Sequence, residues 1–157
     1  RLRDTIKDFE FVKELKVKKI YPDTIKVTVT ESFPIAVFID EDKKKYVLTD
    51  SGEIIKNNDV IKKFNNLPPV YGKDAEKNFY IFYRNLKSTD FRMELIEQFN
   101  YFGINRWDII LKNDKIIKKP KENYENSISR FLSIYKKENF KNFKVFDFRI
   151  KGQLVLK

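Results

Sequence analysis

The chain has 157 residues, 41% of them apolar, which is enough for one ordinary domain with a real core or for a small domain beside a medium one. Lys and Arg number 33 against 23 Asp and Glu, a net charge of +10, and residues 112–157 alone hold 13 basic and 5 acidic residues. That part of the chain should attract an acidic protein, nucleic acid or lipid headgroups. The absence of Cys and His excludes disulfides, Cys/His zinc sites and His-dependent nucleophile systems.

The first thirty or so residues predict a helix followed by a β-hairpin. Leu2, Ile6 and Phe9 stand at helical spacing, and the Pro22–Asp23 turn separates a loosely alternating segment from the clear strand pattern TIKVTVTE. This unit is too small to hold a core alone. The chain opens on Arg1 rather than Met, in helix-like sequence, which indicates a piece of a longer protein; no segment is long and apolar enough to span a membrane.

A second pattern begins at Pro34. The segments PIAVFID and KKYVLTD read as strands joined by a charged turn over 40–44, and GEIIKN follows the turn at Ser51–Gly52, which predicts an antiparallel meander. The segment EKNFYIFYRNLKS is typical of an amphipathic helix. FRMELIEQF is read as a strand, because Phe91, Met93 and Leu95 alternate with polar residues.

The remaining elements complete an α+β pattern. RWDIILKN and KIIKKP predict a hairpin across Asn113–Asp114, and ENYENSISRFLSIYKKEN places an apolar stripe on one helical face. Antiparallel strands with interspersed helices predict an α+β fold: a helix and hairpin, then a larger antiparallel sheet with helices on one face.

The last segment, KNFKVFDFRIKGQLVLK, predicts an amphipathic strand. Phe146, Phe148 and Ile150 should face the core, with Arg149 and Lys151 on the open side. A bend or bulge is expected at the glycine that follows. The chain beyond it forms either an edge strand with unpaired backbone groups or a strand paired with an internal neighbour.

Three other features suggest chemistry and have ordinary structural explanations. Asp40, Glu41 and Asp42 lack the ligand spacing of a calcium loop and read better as a charged turn. Trp107 could anchor an interface, but a core position is the better interpretation. A nucleic-acid surface is the alternative to a solvated helix face for the basic and aromatic residues Lys118, Lys119, Lys121, Tyr124, Arg130, Lys136 and Lys137.

The order of motifs resembles one family, the bacterial division proteins FtsQ/DivIB. FVKELKVKKIYPDTIKVTVTESFPIAVF is similar to the end of their POTRA domain (a small β-α-α-β-β unit), and YVLTDSGEII and LPPVYG resemble the strand pair and loop that follow. RWDIILKNDKIIKKP, SRFLSIY and FDFRIKGQLVLK resemble the later hairpin, helix and closing strand. The first strand and helix of a POTRA domain are missing, and Asn113–Asp114 replaces the usual glycine turn.

The resemblance implies residues 1–32 as the C-terminal part of a POTRA domain and 33–157 as the family's β domain, ending in an edge strand. It further implies a non-catalytic divisome scaffold without cofactor or metal, anchored at the periplasmic face of the inner membrane by a helix outside this sequence. FtsB- and FtsL-type partners would bind by strand addition, and other divisome components would contact the POTRA part.

The partner-binding residues expected under this interpretation form one continuous run. They are Phe148, Arg149, Ile150, Lys151, Gly152, Gln153, Leu154 and Val155. Two alternatives stay open at the level of sequence: another POTRA-containing protein that binds clients in envelope biogenesis, and a basic nucleic-acid-binding domain.

Overall fold

The computed structural model describes residues 11–122 and 124–157. The helix predicted from Leu2, Ile6 and Phe9 lies outside the described residues. The hairpin predicted to follow it is confirmed: β1 (Val12–Ile20) pairs antiparallel with β2 (Thr24–Glu31).

The rest of the described chain builds one sheet with three helices. Its strands are β3 (Pro34–Ile39), β4 (Lys45–Thr49), β5 (Ile54–Ile55), β6 (Pro69–Tyr71), β7 (Ile96–Tyr101), β8 (Trp107–Leu111), β9 (Ile116–Lys118), β10 (Val145–Asp147) and β11 (Val155–Leu156). The helices are α1 (Asn58–Lys63), α2 (Ala75–Lys87) and α3 (Tyr124–Ile134), and single 3₁₀ turns occur at Met93–Leu95 and Glu138–Phe140. The predicted α+β class is confirmed.

The strand order is β11-β10-β9-β8-β7-β6-β3-β4-β5, and the sheet is mixed rather than antiparallel throughout. Within the described residues three neighbouring pairs run parallel: β3 with β6, β6 with β7, and β9 with β10. Connectivity explains two of these pairs. The helix α2 lies between β6 and β7, and α3 lies between β9 and β10; a crossover helix returns the chain so that the second strand runs parallel to the first. Between β3 and β6 the connection is longer and includes β4, β5 and α1.

The two long helices cover one face of the sheet. Phe79 and Phe82 on α2 and Phe131 on α3 are buried there in a single apolar cluster. The short helix α1 packs elsewhere: Ile61 joins Val47 and Ile55 in a separate small cluster. Val47 lies between Tyr46, which packs against the main cluster, and Leu48, which belongs to it. Because neighbouring side chains of a strand point to opposite faces, this second cluster lies on the other face of the sheet.

The segment 91–101 corrects one prediction. Phe91, Met93 and Leu95 were expected to alternate along a strand, but the chain forms a 3₁₀ turn there and β7 begins only at Ile96. Phe91 and Ile96 are both buried. The alternation therefore reflects a turn that places apolar residues against the core. Over so few residues, the spacing of apolar side chains does not distinguish such a turn from a strand.

The hairpin β1–β2 joins the larger sheet through polar contacts. The Ser32 hydroxyl lies 2.8 Å from the Ser51 hydroxyl and donates to Glu53 at 3.0 Å. The Phe33 N–H donates to the Asp50 carboxylate at 2.8 Å, and the Asp50 N–H donates back to the Phe33 carbonyl at 2.9 Å. These bonds hold the crossing from β2 to β3 at a fixed place on the sheet.

The turn between β7 and β8 holds a β-branched residue in a left-handed conformation. Ile104 and Asn105 have φ of 49° and 55°, and the Arg106 N–H donates to the Gly103 carbonyl at 3.0 Å, which makes a type I′ turn. We expect Ile104→Asn to raise the free energy of unfolding by about 0.5–1 kcal/mol, because Asn tolerates this conformation and Ile104 is exposed. Urea denaturation checks this; a loss of stability would contradict it.

Candidate partner-docking edge

The strand β11 is the outermost strand of the described sheet on its β10 side. The N–H groups of Lys144 and Val145 donate to the Lys157 carbonyl at 2.8 and 2.9 Å, and the Lys157 N–H donates to the Val145 carbonyl at 3.1 Å. The register then pairs Phe146 with Leu156 and Asp147 with Val155. Both sequence alternatives for this segment therefore hold in part, because β11 is paired on one side and lies at an edge on the other.

The outer side of β11 carries unpaired backbone groups. In an antiparallel pair, bonded and non-bonded residue pairs alternate. Since Val145 and Lys157 exchange both bonds, the next bonded pair is Asp147 and Val155. The N–H and C=O groups of Leu154 and Leu156 consequently point away from β10, where no other strand of the described chain pairs with them.

A tight turn connects β10 to β11. The Gln153 N–H donates to the Ile150 carbonyl at 3.1 Å, and Gly152 has φ of 75°, as the third position of a type II turn requires. Phe146 and Phe148 are buried and Arg149 and Lys151 lie on the open side, as predicted. The prediction for Ile150 is wrong: it is 53% exposed, because β10 ends at Asp147 and the chain turns away from the core.

A basic groove adjoins this turn. It has a volume of about 700 Å³ and lies between the first turns of α3 and residues 148–153. Four basic side chains line it (Lys121, Arg130, Arg149 and Lys151) against one acidic residue, Glu122. The groove therefore favours an acidic segment placed beside the free edge.

Arg149 is held by its neighbour rather than free to move. Its Nε and Nη2 donate to the two Asp147 carboxylate oxygens at 2.8 and 2.6 Å, and its N–H donates to Asp147 Oδ1 at 3.1 Å. The hydrogen bonds from Arg149 lower the pKa of the Asp147 carboxyl below its usual value. Across the groove, the Arg130 guanidinium lies 5.9 Å from the centre of the Phe148 ring.

Residues 36–149 match the family model described as the C-terminal region of cell division protein FtsQ/DivIB. This match covers most of the chain and includes both crossover helices. The chain belongs to the FtsQ/DivIB family.

Individual FtsQ proteins are similar at low identity. The chain is 27% identical to cell division protein FtsQ of Caulobacter vibrioides over 127 residues, which cover 81% of this chain and 41% of that protein. It is 27% identical to the FtsQ of Rickettsia conorii over 154 residues, or 97% of this chain and 57% of that protein. For the FtsQ of Rhizobium meliloti the identity is 27% over 135 residues, with coverages of 84% and 41%. The chain thus spans about half the length of these relatives.

Two other features singled out in the sequence, one residue and one segment, have structural roles in this FtsQ/DivIB domain. Trp107 is 1% exposed and stacks on Phe82 with ring centres 4.6 Å apart, which confirms the core interpretation. The segment 40–42 forms the turn between β3 and β4, where the Lys44 N–H donates to the Asp40 carboxylate at 2.8 Å. Among the described residues, no group of three or more His, Cys, Asp or Glu is arranged to hold a metal ion.

Two of the basic residues that suggested a nucleic-acid surface make contacts within the domain instead. Lys119 is 4% exposed, its Nζ donates to the Asn105 carbonyl at 2.8 Å, and it lies 4.8 Å from the centre of the Tyr124 ring. Burial lowers the pKa of Lys119 to about 8. The Lys118 ammonium forms an ion pair with the Asp108 carboxylate, with Nζ 3.8 Å from Oδ2. The burial of Lys119 was not predicted, because two consecutive lysines at the end of a strand pattern give no signal of which one turns inward.

Proposed function

We propose that this chain is part of a non-catalytic scaffold of the bacterial divisome, which recruits FtsB- and FtsL-type partners by strand addition to β11. The open outer side of β11 carries the proposal. Membership of the FtsQ/DivIB family supports the role in cell division. The adjoining basic groove supports an acidic partner segment, since it would attract carboxylates next to the strand that forms.

The proposal places the domain outside the cytoplasm, at the periplasmic face of the inner membrane. The family resemblance supports this location, with an anchor helix outside this sequence. No helix in the described part of the chain is long and apolar enough to cross a membrane. Residues 1–32 would form the C-terminal part of a POTRA domain that contacts other divisome components, and 33–157 the β domain that holds the docking edge.

Leu154→Pro tests strand addition directly. Proline removes the outward-pointing N–H of Leu154 and leaves the bonds between β11 and β10 in place. We expect the affinity for the FtsB–FtsL pair of the same bacterium to fall about tenfold or more, because a lost main-chain bond and a steric clash act together. Calorimetry measures the affinity, and circular dichroism checks the fold.

Val155→Pro is the matched control, because the N–H of Val155 points toward β10. This change should loosen β11 itself and lower thermal stability as well as affinity. If Leu154→Pro stays folded and binds as tightly as the parent, the strand-addition proposal is wrong.

The basic groove is tested by charge reversal at Lys151, which lies in the exposed turn. We expect Lys151→Glu to slow association with the partner pair and to reduce the dependence of the association rate on salt, because steering by charge is screened within about 8 Å at physiological ionic strength. Lys26→Glu, on the exposed strand β2, makes the same charge change away from the groove. Equal stopped-flow rates for the two variants would contradict the role of the groove.

Arg149→Glu is expected to weaken the complex as well, but it is a less specific variant. It breaks the ion pair with Asp147 and places two carboxylates together. Its effect on affinity must therefore be compared with its effect on stability.

A further inference from the structure

A second cleft opens at the other half of the sheet, at the end where β3 and β6 finish. Its volume is about 570 Å³. The β3–β4 turn, the start of β4, the loop after β6 and the first turn of α2 all contribute to its walls. Side chains distant in sequence are thus brought together at a place that the docking edge does not use.

The charge of this cleft is opposite to that of the chain. Five acidic residues line it, against two basic ones, Lys56 and Lys73, whereas the whole chain carries +10. The acidic residues are Asp40, Glu41, Asp42, Asp74 and Glu76. Asp74 is paired with Lys77 at 2.5 Å, but in the described part of the chain no ion pair neutralises the other four. The cleft therefore attracts cations and repels the acidic segment proposed for β11.

Tyr46 forms an aromatic wall of the cleft, and three of the carboxylates act on it. The Tyr46 hydroxyl donates to Asp40 at 3.1 Å. This hydrogen bond, followed by burial and by the negative charges of Asp40, Asp42 and Glu76, raises the pKa of Tyr46. The Lys56 ammonium lies 6.0 Å from the centre of the Tyr46 ring, so a lysine of the chain itself already occupies the position of a cation over this wall.

Glu76 provides a polar group that lacks a partner. Its Oε2 is shielded from solvent and accepts no hydrogen bond within the described residues. A shielded carboxylate oxygen without a donor is unfavourable by about 1–3 kcal/mol or more. A lysine or arginine side chain entering the cleft would offset this cost by placing a positive charge near the carboxylate.

An exposed apolar rim continues from the cleft. Tyr71 is 37% exposed, and the β7–β8 turn carries Phe102 at 53% and Ile104 at 74%. A neighbouring hollow of about 560 Å³ is lined by this turn and shares Lys73 and Asp74 with the acidic cleft. Apolar side chains held at a tight turn beside a charged cleft are typical of a protein contact.

We propose that the acidic cleft and this rim form a second docking surface, for a partner segment that presents lysine or arginine beside apolar side chains. The surface differs from the β11 edge in charge, position and chemistry. Complementary charge selects the occupant: an anionic lipid surface or nucleic acid is repelled here.

The test uses the full chain and a short synthetic peptide that alternates lysine and leucine, with a glutamate-for-lysine version as the peptide control. Fluorescence anisotropy of the labelled peptide measures binding. We expect the lysine peptide alone to bind, and the pair of changes Asp42→Asn and Glu76→Gln to weaken it about tenfold. Asp59→Asn with Glu138→Gln makes the same charge change at exposed positions and should alter binding less than about twofold.

Ile104→Ser tests the rim separately, because it keeps every charge. It should lower the affinity for the lysine–leucine peptide a few-fold and leave the affinity for the FtsB–FtsL pair unchanged. If the double variant in the cleft and the double variant at exposed positions lower the affinity for the peptide equally, the peptide is attracted only by overall charge and the proposal is wrong. So would competition by Mg²⁺ or Ca²⁺ far beyond that of an equal ionic strength of NaCl, or displacement of the peptide by the FtsB–FtsL pair.

Discussion

Gly72→Ala is expected to lower the free energy of unfolding by about 3 kcal/mol. Gly72 has φ of 118°, a conformation that L side chains rarely adopt, and an added Cβ would lie 2.9 Å from the carbonyl carbon of Tyr101 and closer still to its oxygen. Both obstacles are backbone, so neither can move without disturbing β7. Urea denaturation followed by circular dichroism measures the change.

Gly152→Ala is the matched control for this effect. Gly152 also has a positive φ, 75°, but a Cβ there meets nothing within 4 Å. Only the conformational strain remains, so the loss should be about 1 kcal/mol. Equal losses at the two glycines would show that the close approach of Gly72 to Tyr101 does not matter for stability.

Trp107→Ala is expected to lower the free energy of unfolding by about 3–5 kcal/mol, the range for removing a large buried aromatic side chain. The indole is almost completely buried and lies between Phe82, at 4.6 Å, and Tyr101, at 4.7 Å between ring centres. Thermal and urea denaturation measure the loss.

Trp107→Phe separates the core role from an interface role. Because Trp107 contacts the core and not solvent, the Phe variant should lose less stability than the Ala variant and bind the proposed FtsB–FtsL partners with the affinity of the parent. A folded Phe variant with clearly weaker binding would mean that the indole reaches the partner after all.

Many of the element types were predicted correctly, because periodicity reports which side of an element is buried. The hairpin around Asn113–Asp114 and the helix faces around Phe79 and Phe131 follow from local spacing alone. Strand direction does not follow from spacing. It could have been inferred from connectivity, because helical segments of about a dozen residues between strands are typical of parallel pairs.

The C-terminal segment shows the limit of the same reasoning. Alternation placed Phe146 and Phe148 correctly, but a period of two carries no information on where a strand ends, so Ile150 was placed on the wrong side. Local pattern also could not show that β11 pairs with β10, because strand pairing depends on contacts between distant parts of the chain. The partner-binding role of residues 148–155 stays a prediction.

The acidic cleft was not predictable from any one motif. The segment 40–42 was read correctly as a turn, yet Glu76 lies more than thirty residues further along the chain. The parallel pairing of β3 with β6 brings the two together. Local sequence patterns identify acidic residues, but only the fold brings residues so distant in sequence to one cleft.

The position of β6 has a mechanical consequence. This strand of three residues is the seam between two halves of the sheet, and the register pairs it with β3 over two positions and with β7 over two. Pulling across the sheet would load those few backbone bonds, whereas β3–β4 and β7–β8 resist through longer ladders. We therefore expect tension between β3 and β11 to part the sheet at one of the ladders that pair over two positions: β3–β6, β6–β7 or β10–β11. Parting β3 from β6 would divide the acidic cleft, because its walls come from the ends of both strands, and the cleft would then release whatever it holds.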